Sequence, residues 1–158
     1  MYSHARLCLC ACGIMLSAYA YYVEIKKAGN EDYEALCDVN DYISCSTVFT
    51  SEYGRGFGII QHVFGHDHLL NQPNGIFGLM LFALQLTGIF WKGKTMSAFL
   101  FWTTGTAICG CIYLAYILAF VLHDFCVVCV STYVVIVLLH YLNYKSIKQY
   151  NRNYKKEA

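Results

Sequence analysis

Four stretches of this chain are apolar over a length close to the thickness of a membrane, and none of them contains Asp, Glu, Lys or Arg. They are Leu7–Val23, Gly75–Trp91, Met96–Leu122 and Cys126–Leu142. A helix needs about 20 such residues to cross the hydrocarbon core of a bilayer. Backbone groups in lipid must find their hydrogen-bond partners within the segment, so each stretch is predicted to be a helix. The sequence therefore predicts an all-α integral membrane protein, a bundle of four transmembrane helices.

Composition supports this fold class and argues against a soluble domain. Hydrophobic residues make up 58% of the 158 residues and charged residues only 13%, whereas soluble domains have about 45–50% and about 25%. There is one proline and no Ser/Gly-rich linker, so residues 1–158 are predicted to form a single membrane domain. Membrane lipid is an expected partner and nucleic acid is not.

The distribution of charge predicts the orientation in the membrane. Segment 24–74 carries eight carboxylates against three basic residues, while the turn Lys92–Lys94 and the tail after residue 143 are basic. Lys and Arg next to spans favour the cytoplasm. Both termini, including tail 144–158, and the Lys92–Lys94 turn are therefore predicted to be cytoplasmic, and segment 24–74 is predicted to be a cap loop on the lumenal side.

The two ends of the chain bear on localisation. The last four residues, Lys155–Ala158, resemble a dilysine retrieval signal, which predicts the endoplasmic reticulum membrane. The first apolar stretch could also be a cleaved signal peptide ending near Ala20. We favour an uncleaved anchor because apolar and aromatic residues continue through Val23.

Four of the nine cysteines stand apart from the rest. Cys37 and Cys45 lie in the acidic loop, and Cys126 and Cys129 form a C-x-x-C pair at the same side of the membrane. Static disulfides, a Cys₄ zinc site and a redox relay are the three alternatives. A C-x-x-C disulfide closes too small a loop to stabilise a fold much, and structural zinc usually holds soluble modules together. The relay is favoured, no metal is expected, and the five cysteines within the apolar stretches are interpreted as inert.

The order of residues around the C-x-x-C pair predicts a role for each thiol. Asp124 is a candidate N-cap for the fourth helix, which places Cys126 in the first turn, nearer water, as the thiol that exchanges with another disulfide. Cys129 lies about one turn deeper and is expected to face a substrate held in the bundle. Tyr133 shares this helix face, and Asn74 lies at a similar depth; both could serve structure, as packed ring and N-cap, or hydrogen-bond a substrate oxygen.

Several motifs, in order between Tyr33 and Tyr144, resemble the vitamin K epoxide reductase family, which includes a reductase-like paralogue. They are Cys37-Asp38-Val39, Ser44-Cys45-Ser46, Gly54-Arg55-Gly56-Phe57-Gly58, Asn71-Gln72-Pro73-Asn74 and the C-x-x-C pair followed by Thr132-Tyr133. The first two motifs are typical of the reductase and Asn71-Gln72-Pro73-Asn74 of its paralogue. The family usually has Trp where this chain has Tyr53, so ligand affinity is expected to differ there.

The resemblance implies a four-helix membrane bundle capped by the lumenal loop. It implies reduction of vitamin K 2,3-epoxide to the quinone and of the quinone to the hydroquinone, with vitamin K as substrate and no tightly bound cofactor. Cys126 and Cys129 would be the active pair, with Cys129 the thiol that reacts with substrate. Cys37 and Cys45 would relay electrons from a thioredoxin-like lumenal protein.

The resemblance also implies a substrate pocket. Asn74 and Tyr133 match the residues that hydrogen-bond the two ring oxygens, Phe49 and Phe77 match aromatic pocket residues, and Val48 matches a wall position. Coumarin-type inhibitors would occupy the same pocket. Two rival functions stay open: a quinone-linked thiol oxidase that promotes disulfide formation in lumenal proteins, and a non-enzymatic four-span scaffold.

Overall fold

Nearly the whole described chain is helical. The computed structural model describes residues 3–30, 32–40, 42–65, 69, 71–91 and 93–157, with the side chains of 63, 64 and 153–157 excepted. Lys92 of the predicted cytoplasmic turn and the side chains of Lys155 and Lys156 in the dilysine motif therefore lie outside the described residues. The helices are α1 (Ser3–Gly29), α2 (Cys45–Thr50), α3 (Ile60–Phe64), α4 (Asn74–Phe90), α5 (Lys94–Ile117) and α6 (Val127–Glu157).

The long helices agree with a membrane helical bundle. Three of them, Ser3–Gly29, Lys94–Leu122 and Val127–Arg152, are long and apolar enough to cross a membrane, and Asn74–Phe90 is a shorter apolar helix of 17 residues. A π-helical turn, Leu118–Leu122, extends α5, and α6 continues through the predicted tail. The all-α prediction is confirmed.

Small residues allow the long helices to approach one another closely. Helix α1 packs most extensively against α4, and α5 packs against α6. A Cβ atom on Gly78 of α4 would lie 2.5 Å from the Ser17 hydroxyl of α1, and one on Gly88 would lie 2.6 Å from Leu100 of α5. These contacts are the close packing that small residues permit between membrane helices.

The segment between α1 and α4 folds back over one end of the bundle, and we call residues 30–73 the cap. It contains α2, two short 3-10 turns (Glu52–Gly54 and Gly56–Gly58) and α3. An ion pair ties it to α1: the Arg55 Nε atom lies 2.7 Å from Oε1 of Glu24, whose side chain is only 5% exposed. The Tyr19 hydroxyl of α1 also accepts a hydrogen bond from the backbone N–H of Leu36 at 3.1 Å.

The cap rests on an apolar cluster at the top of the bundle. Its fully buried members include Val23 of α1, Cys45 of the cap and Cys126 at the start of α6. A backbone hydrogen bond of 2.8 Å from the Phe125 N–H to the Tyr42 carbonyl joins the cap to the turn that leads into α6. The cap and the C-x-x-C segment are therefore packed as one unit.

A buried polar network links α4, α5 and α6 at the other end of the bundle. The Gln85 amide donates to the Leu100 carbonyl at 3.1 Å, and the Asn143 amide donates to Gln85 Oε1 at 2.9 Å. Both side chains are at most 1% exposed. Since the membrane offers no other partners for these groups, the hydrogen bonds fix the register of the three helices.

We predict that Gln85→Leu weakens the bundle and leaves the cap end unchanged. The variant loses the hydrogen bonds from Gln85 and the acceptor of the Asn143 amide, which at about 0.6–2 kcal/mol per interhelical bond lowers the thermal midpoint in detergent. Thr87→Val is the matched control, because the exposed Thr87 hydroxyl bonds only carbonyls of its own helix. An unchanged midpoint for Gln85→Leu would contradict the role of the network.

Candidate active site

A cavity of about 490 Å³ lies between the four long helices and the cap. Helix α5 supplies one wall with side chains spaced three or four residues apart, from Thr103 to Leu118, and the cap supplies the roof. Most of the lining is apolar, with a few polar groups. Its size and composition suit an apolar ligand that is oriented by a small number of hydrogen bonds.

The cavity brings together all of the predicted substrate-binding residues and one of the predicted catalytic thiols. Its lining includes Val48, Phe49, Asn74, Phe77, Cys129 and Tyr133. Cys126, Cys37 and Cys45 are not part of the lining and lie in the apolar cluster beside it. Cys129 belongs both to the cavity lining and to the apolar cluster. Of the four predicted redox cysteines, it is therefore the one that connects the cavity with the other three.

The structure corrects two predictions about the start of α6. The helix begins at Val127, so Asp124 is not its N-cap. Cys126 occupies that position, and its sulfur accepts a hydrogen bond of 3.2 Å from the Cys129 N–H. Cys126 was also expected nearer water than Cys129, but it is fully buried, since the cap covers it.

Cys126 precedes the membrane helix, and its contacts lower the pKa of its thiol. The hydrogen bond with the Cys129 side chain lowers the pKa of the Cys126 thiol; burial raises it, and backbone N–H groups of Cys129 and Val128 lower it further. The negative charge of Asp38 in the cap opposes the shift, and the net effect is a lowered pKa. A thiolate at this position is the attacking and leaving species in disulfide exchange.

The loop cysteines form a disulfide in the structure, Cys37 with Cys45. Cys45 is the first residue of α2 and is fully buried, whereas Cys37 is half-buried. Cys45 and Cys126 lie in the same apolar cluster. The two cysteines that exchange in the predicted relay, Cys45 and Cys126, therefore lie in the same packed unit.

Asp38 organises the backbone around this disulfide. Its Oδ1 atom accepts hydrogen bonds from the N–H groups of Cys45 at 2.6 Å and Ser46 at 3.0 Å, and its Oδ2 atom accepts one from Ala35 at 2.7 Å. Burial would raise the pKa of the Asp38 carboxyl, but the hydrogen bonds together outweigh burial and lower it below its ordinary value of 3.8.

Asn74 is not the N-cap that the sequence suggested, because Pro73 occupies that position and Asn74 is the first helical residue. Its side-chain amide instead joins the cap to α4 through two hydrogen bonds. Oδ1 accepts a hydrogen bond of 3.0 Å from the Phe57 N–H, and Nδ2 donates one of 2.6 Å to the Tyr53 carbonyl. An amide nitrogen carries two hydrogens, so one donor on Asn74 is left for a ligand in the cavity.

Sequence reasoning missed several lining residues, among them Phe57 and Cys111. Phe57 adopts φ +58° between two glycines that also have positive φ, and its ring packs against Phe77 with centroids 5.4 Å apart. No periodic pattern marks such a turn. Cys111 was interpreted as an inert thiol but lines the cavity; the three-to-four-residue spacing of the α5 wall is the signal that could have placed it there.

Comparison with known proteins adds an independent finding. The model of the vitamin K epoxide reductase family matches residues 5–144. Two relatives are named vitamin K epoxide reductase complex subunit 1. The one from Rattus norvegicus is 46% identical over 145 residues, which cover 92% of this chain and 90% of the relative. The one from Mus musculus is 45% identical over the same shares of both chains.

We predict that Asn74→Asp loosens the cap, although it keeps an oxygen for the Phe57 N–H. The new carboxylate oxygen would face the Tyr53 carbonyl in place of a donor, and two acceptors at that distance repel. Protease cleavage of the cap should become faster than in the wild type. Asn40→Asp is the control, because it adds the same charge at an exposed cap position and keeps the oxygen that accepts from the Tyr42 N–H. Equal cleavage rates would contradict the fastening role of Asn74.

The lowered pKa of Asp38 predicts how its contribution to stability depends on pH. A group with a lowered folded-state pKa stabilises the fold above its unfolded pKa and loses this effect as pH falls through the folded value. The difference in unfolding free energy between wild type and Asp38→Asn should be constant from about pH 5 to 8 and shrink below the ordinary value of 3.8.

Denaturant unfolding in detergent at a series of pH values measures this difference, with Asp32→Asn as the exposed control. A difference that stays constant down to pH 2 would show that the Asp38 carboxylate does not hold the loop.

Proposed function

The chain belongs to the vitamin K epoxide reductase family, and we propose that it is a membrane oxidoreductase that reduces vitamin K 2,3-epoxide to the quinone and the quinone to the hydroquinone. The observation that carries this proposal is the apolar cavity, which holds the Cys129 thiol together with the Asn74 amide and the Tyr133 phenol. A naphthoquinone with an isoprenoid tail needs an apolar site with few polar groups. The relatives in rat and mouse carry the name of this activity.

The proposed topology has four spans in the endoplasmic reticulum membrane, with both termini in the cytoplasm and the cap in the lumen. Helix α4 has 17 residues, which is at the lower end of the range of about 17–25 that crosses a bilayer. The excess of carboxylates in segment 24–74 and the basic tail support this orientation through the preference of Lys and Arg for the cytoplasm.

The substrate step begins with the Cys129 thiolate. It attacks a ring carbon of the epoxide, which opens the carbon–oxygen bond and leaves negative charge on oxygen. The free Asn74 donor and the Tyr133 hydroxyl are proposed to hydrogen-bond the two ring oxygens and to stabilise negative charge that develops on the substrate oxygens, as donors in an oxyanion hole do. Cys126 then attacks the Cys129 sulfur and breaks the sulfur–carbon bond. The electron pair of that bond passes to the ring as an enolate, which expels the neighbouring hydroxyl. With the two protons of the former thiols this oxygen leaves as water, and the quinone and the Cys126–Cys129 disulfide are the products.

Reduction of the quinone follows the same two thiol steps without the loss of water. The Cys129 thiolate adds to the ring, Cys126 displaces the ring from sulfur, and two protons complete the hydroquinone. Each turnover therefore converts one dithiol into one disulfide, which must be reduced before the next.

The loop cysteines are proposed to reduce that disulfide. A thioredoxin-like lumenal protein reduces Cys37–Cys45 by thiol exchange, and its own dithiol becomes a disulfide. The freed Cys45 thiolate attacks Cys126 and releases Cys129. Cys37 then attacks Cys45, which frees Cys126 and restores the loop disulfide. Burial of Cys45 and Cys126 in one apolar cluster supports this order of exchange.

We propose that Tyr53 of the cap affects how tightly inhibitors bind in the cavity. Coumarin-type compounds are proposed to occupy the same cavity, which Tyr53 lines from the cap. The phenol ring is smaller than the indole that the family usually has there. We therefore propose that such inhibitors lose part of their apolar contact with the roof.

We predict that the cysteines separate into two groups when purified protein reduces vitamin K epoxide. Cys129→Ser should abolish turnover with every reductant, because no sulfur is left to attack the substrate. Cys37→Ser with Cys45→Ser should keep turnover with dithiothreitol, a small dithiol that reaches Cys126–Cys129 directly, and lose it with a thioredoxin-fold donor. Product formation followed by chromatography measures both rates.

Cys109→Ser, at an exposed position on α5 outside the cavity lining, is the matched control and should retain full activity. Loss of turnover with both reductants in the loop variant would contradict the relay. Net oxidation of the donor by added quinone, without epoxide reduction, would support the rival thiol oxidase, and no thiol-dependent chemistry at all would support the scaffold.

A further inference from the structure

One arginine lies inside the bundle, at the end opposite the cap. Arg6 belongs to the first turn of α1 and is only 8% exposed. It shares the packed face of this helix with Cys10, Gly13 and Ser17, which are buried and follow it at intervals of three or four residues. Its Nε atom is buried and has no hydrogen-bond partner. Within the residues that the structure describes, Arg6 forms no ion pair either.

The helices around Arg6 supply little negative charge. The groups that interact with it electrostatically are Cys10 and Tyr150 of α6, and neither is a carboxylate. Helices α4 and α5 contain no Asp or Glu, and α6 contains none before its last residue, Glu157. The carboxylate of α1, Glu24, lies about 27 Å away along the helix axis and is already paired with the cap. Since a buried charge without a partner is strongly unfavourable, the position calls for an anion from outside the chain.

The depth of Arg6 in the membrane indicates which anion is available. It directly precedes the apolar stretch Leu7–Val23, which is about 25 Å long as a helix and so spans most of a hydrocarbon core of about 30 Å. Arg6 therefore lies at the boundary between hydrocarbon and headgroups, next to the level of the lipid phosphates. Its planar guanidinium can bond two phosphate oxygens at once, and the Tyr150 hydroxyl can donate to a third.

We propose that Arg6 binds the phosphate of an anionic phospholipid, between α1 and α6 in the leaflet opposite the cap. Basic pockets between membrane helices are known to take such headgroups. The free N–H groups and the positive dipole end in the first turn of α1 favour the same anion. The site contains no redox cysteine, so it stands apart from the proposed function.

The surrounding charge favours a headgroup that carries no cation of its own. The same end of the bundle carries four further basic residues on α5 and α6, which are Lys94, Lys145, Lys148 and Arg152. A choline or ethanolamine group would meet these like charges, whereas a glycerol or inositol headgroup would not. Free phosphate offers the same oxygens to Arg6, but a lipid holds its phosphate at the depth of the arginine.

The experiment compares three phosphate sources on the full-length chain in a non-ionic detergent. The probes are dioleoylphosphatidylglycerol, dioleoylphosphatidylcholine and inorganic phosphate. A ligand that binds the folded protein alone raises its thermal midpoint in proportion to saturation, and native mass spectrometry counts the lipids that stay bound. We expect phosphatidylglycerol to raise the midpoint of the wild type more than phosphatidylcholine does, and inorganic phosphate to leave it unchanged.

Arg6→Met removes the guanidinium and keeps an apolar side chain of similar length on the packed face of α1. Its apparent Kd for phosphatidylglycerol should rise about tenfold or more, the factor expected when hydrogen bonds to a charged group are lost. In phosphatidylcholine the variant should be at least as stable as the wild type, because a buried charge without a partner is gone. In phosphatidylglycerol the order of the two midpoints should reverse.

Two further variants complete the design. Lys148→Met is the matched control, because it removes one positive charge at an exposed position of the same end; its Kd should rise about fivefold at most, the effect of one basic residue near an anionic surface. Arg6→Lys keeps the charge but loses the planar fork, so it should bind phosphatidylglycerol more weakly than the wild type does.

Each other outcome overturns the lipid site in a recognisable way. Equal midpoints of the wild type in the two lipids would show that no anionic lipid binds, and an equal rise with inorganic phosphate would show that the site takes a free anion. A loss of affinity in Lys148→Met as large as in Arg6→Met would reduce the effect to net charge. Should Arg6→Met fail to fold, a wild-type Kd in Arg6→Lys would contradict binding by the guanidinium.

The carboxylate of Glu157 is the alternative partner within the chain. If Glu157→Gln lowers the midpoint in both lipids as much as Arg6→Met does, Arg6 is paired with this end of α6, and the lipid proposal is wrong.

Discussion

The structure depends on the packing of the cap against the apolar cluster at the top of the bundle. Val23, Cys45 and Cys126 are fully buried where α1, the cap and α6 meet, and burial of an apolar side chain contributes about 1.5–3 kcal/mol. Apolar contact has no direction, so it holds the cap down without fixing its position. Direction comes from polar contacts: the Glu24–Arg55 ion pair and the two hydrogen bonds of Asn74.

The packing of the cap against the bundle has two consequences for the candidate active site. As a roof, the cap closes the cavity over Cys129 with side chains such as Phe49 and Phe57. Because Cys45 belongs to the cap, the Cys37–Cys45 disulfide lies in the cluster that contains Cys126. The same contacts therefore cover the cavity and hold Cys45 in the cluster that contains Cys126. A cap that detached would lose both at once.

Much of the fold and site could be predicted from the sequence because membrane helices and a C-x-x-C pair leave local signals. The apolar stretches gave the helices, and the motifs gave Asn74, Tyr133 and Cys129 as cavity residues. Long-range contacts could not be predicted in this way. The acceptor role of the Cys126 sulfur depends on the true start of α6, and the burial of Cys126 depends on a cap that is distant in sequence. The pairing of Glu24 with a residue 31 positions later and the positive φ of Phe57 also have no local signature.

The central claim is that Cys45 and Cys126 exchange directly, within one buried cluster. A protein with both Cys37→Ala and Cys129→Ala leaves these two sulfurs without their usual partners, so they should form a disulfide with each other under mild oxidation. Mass spectrometry of the digested, alkylated protein measures this bond. We predict a Cys45–Cys126 linked peptide as the main product at these sites. Recovery of both cysteines as separately alkylated thiols, in protein that remains folded, would contradict the account.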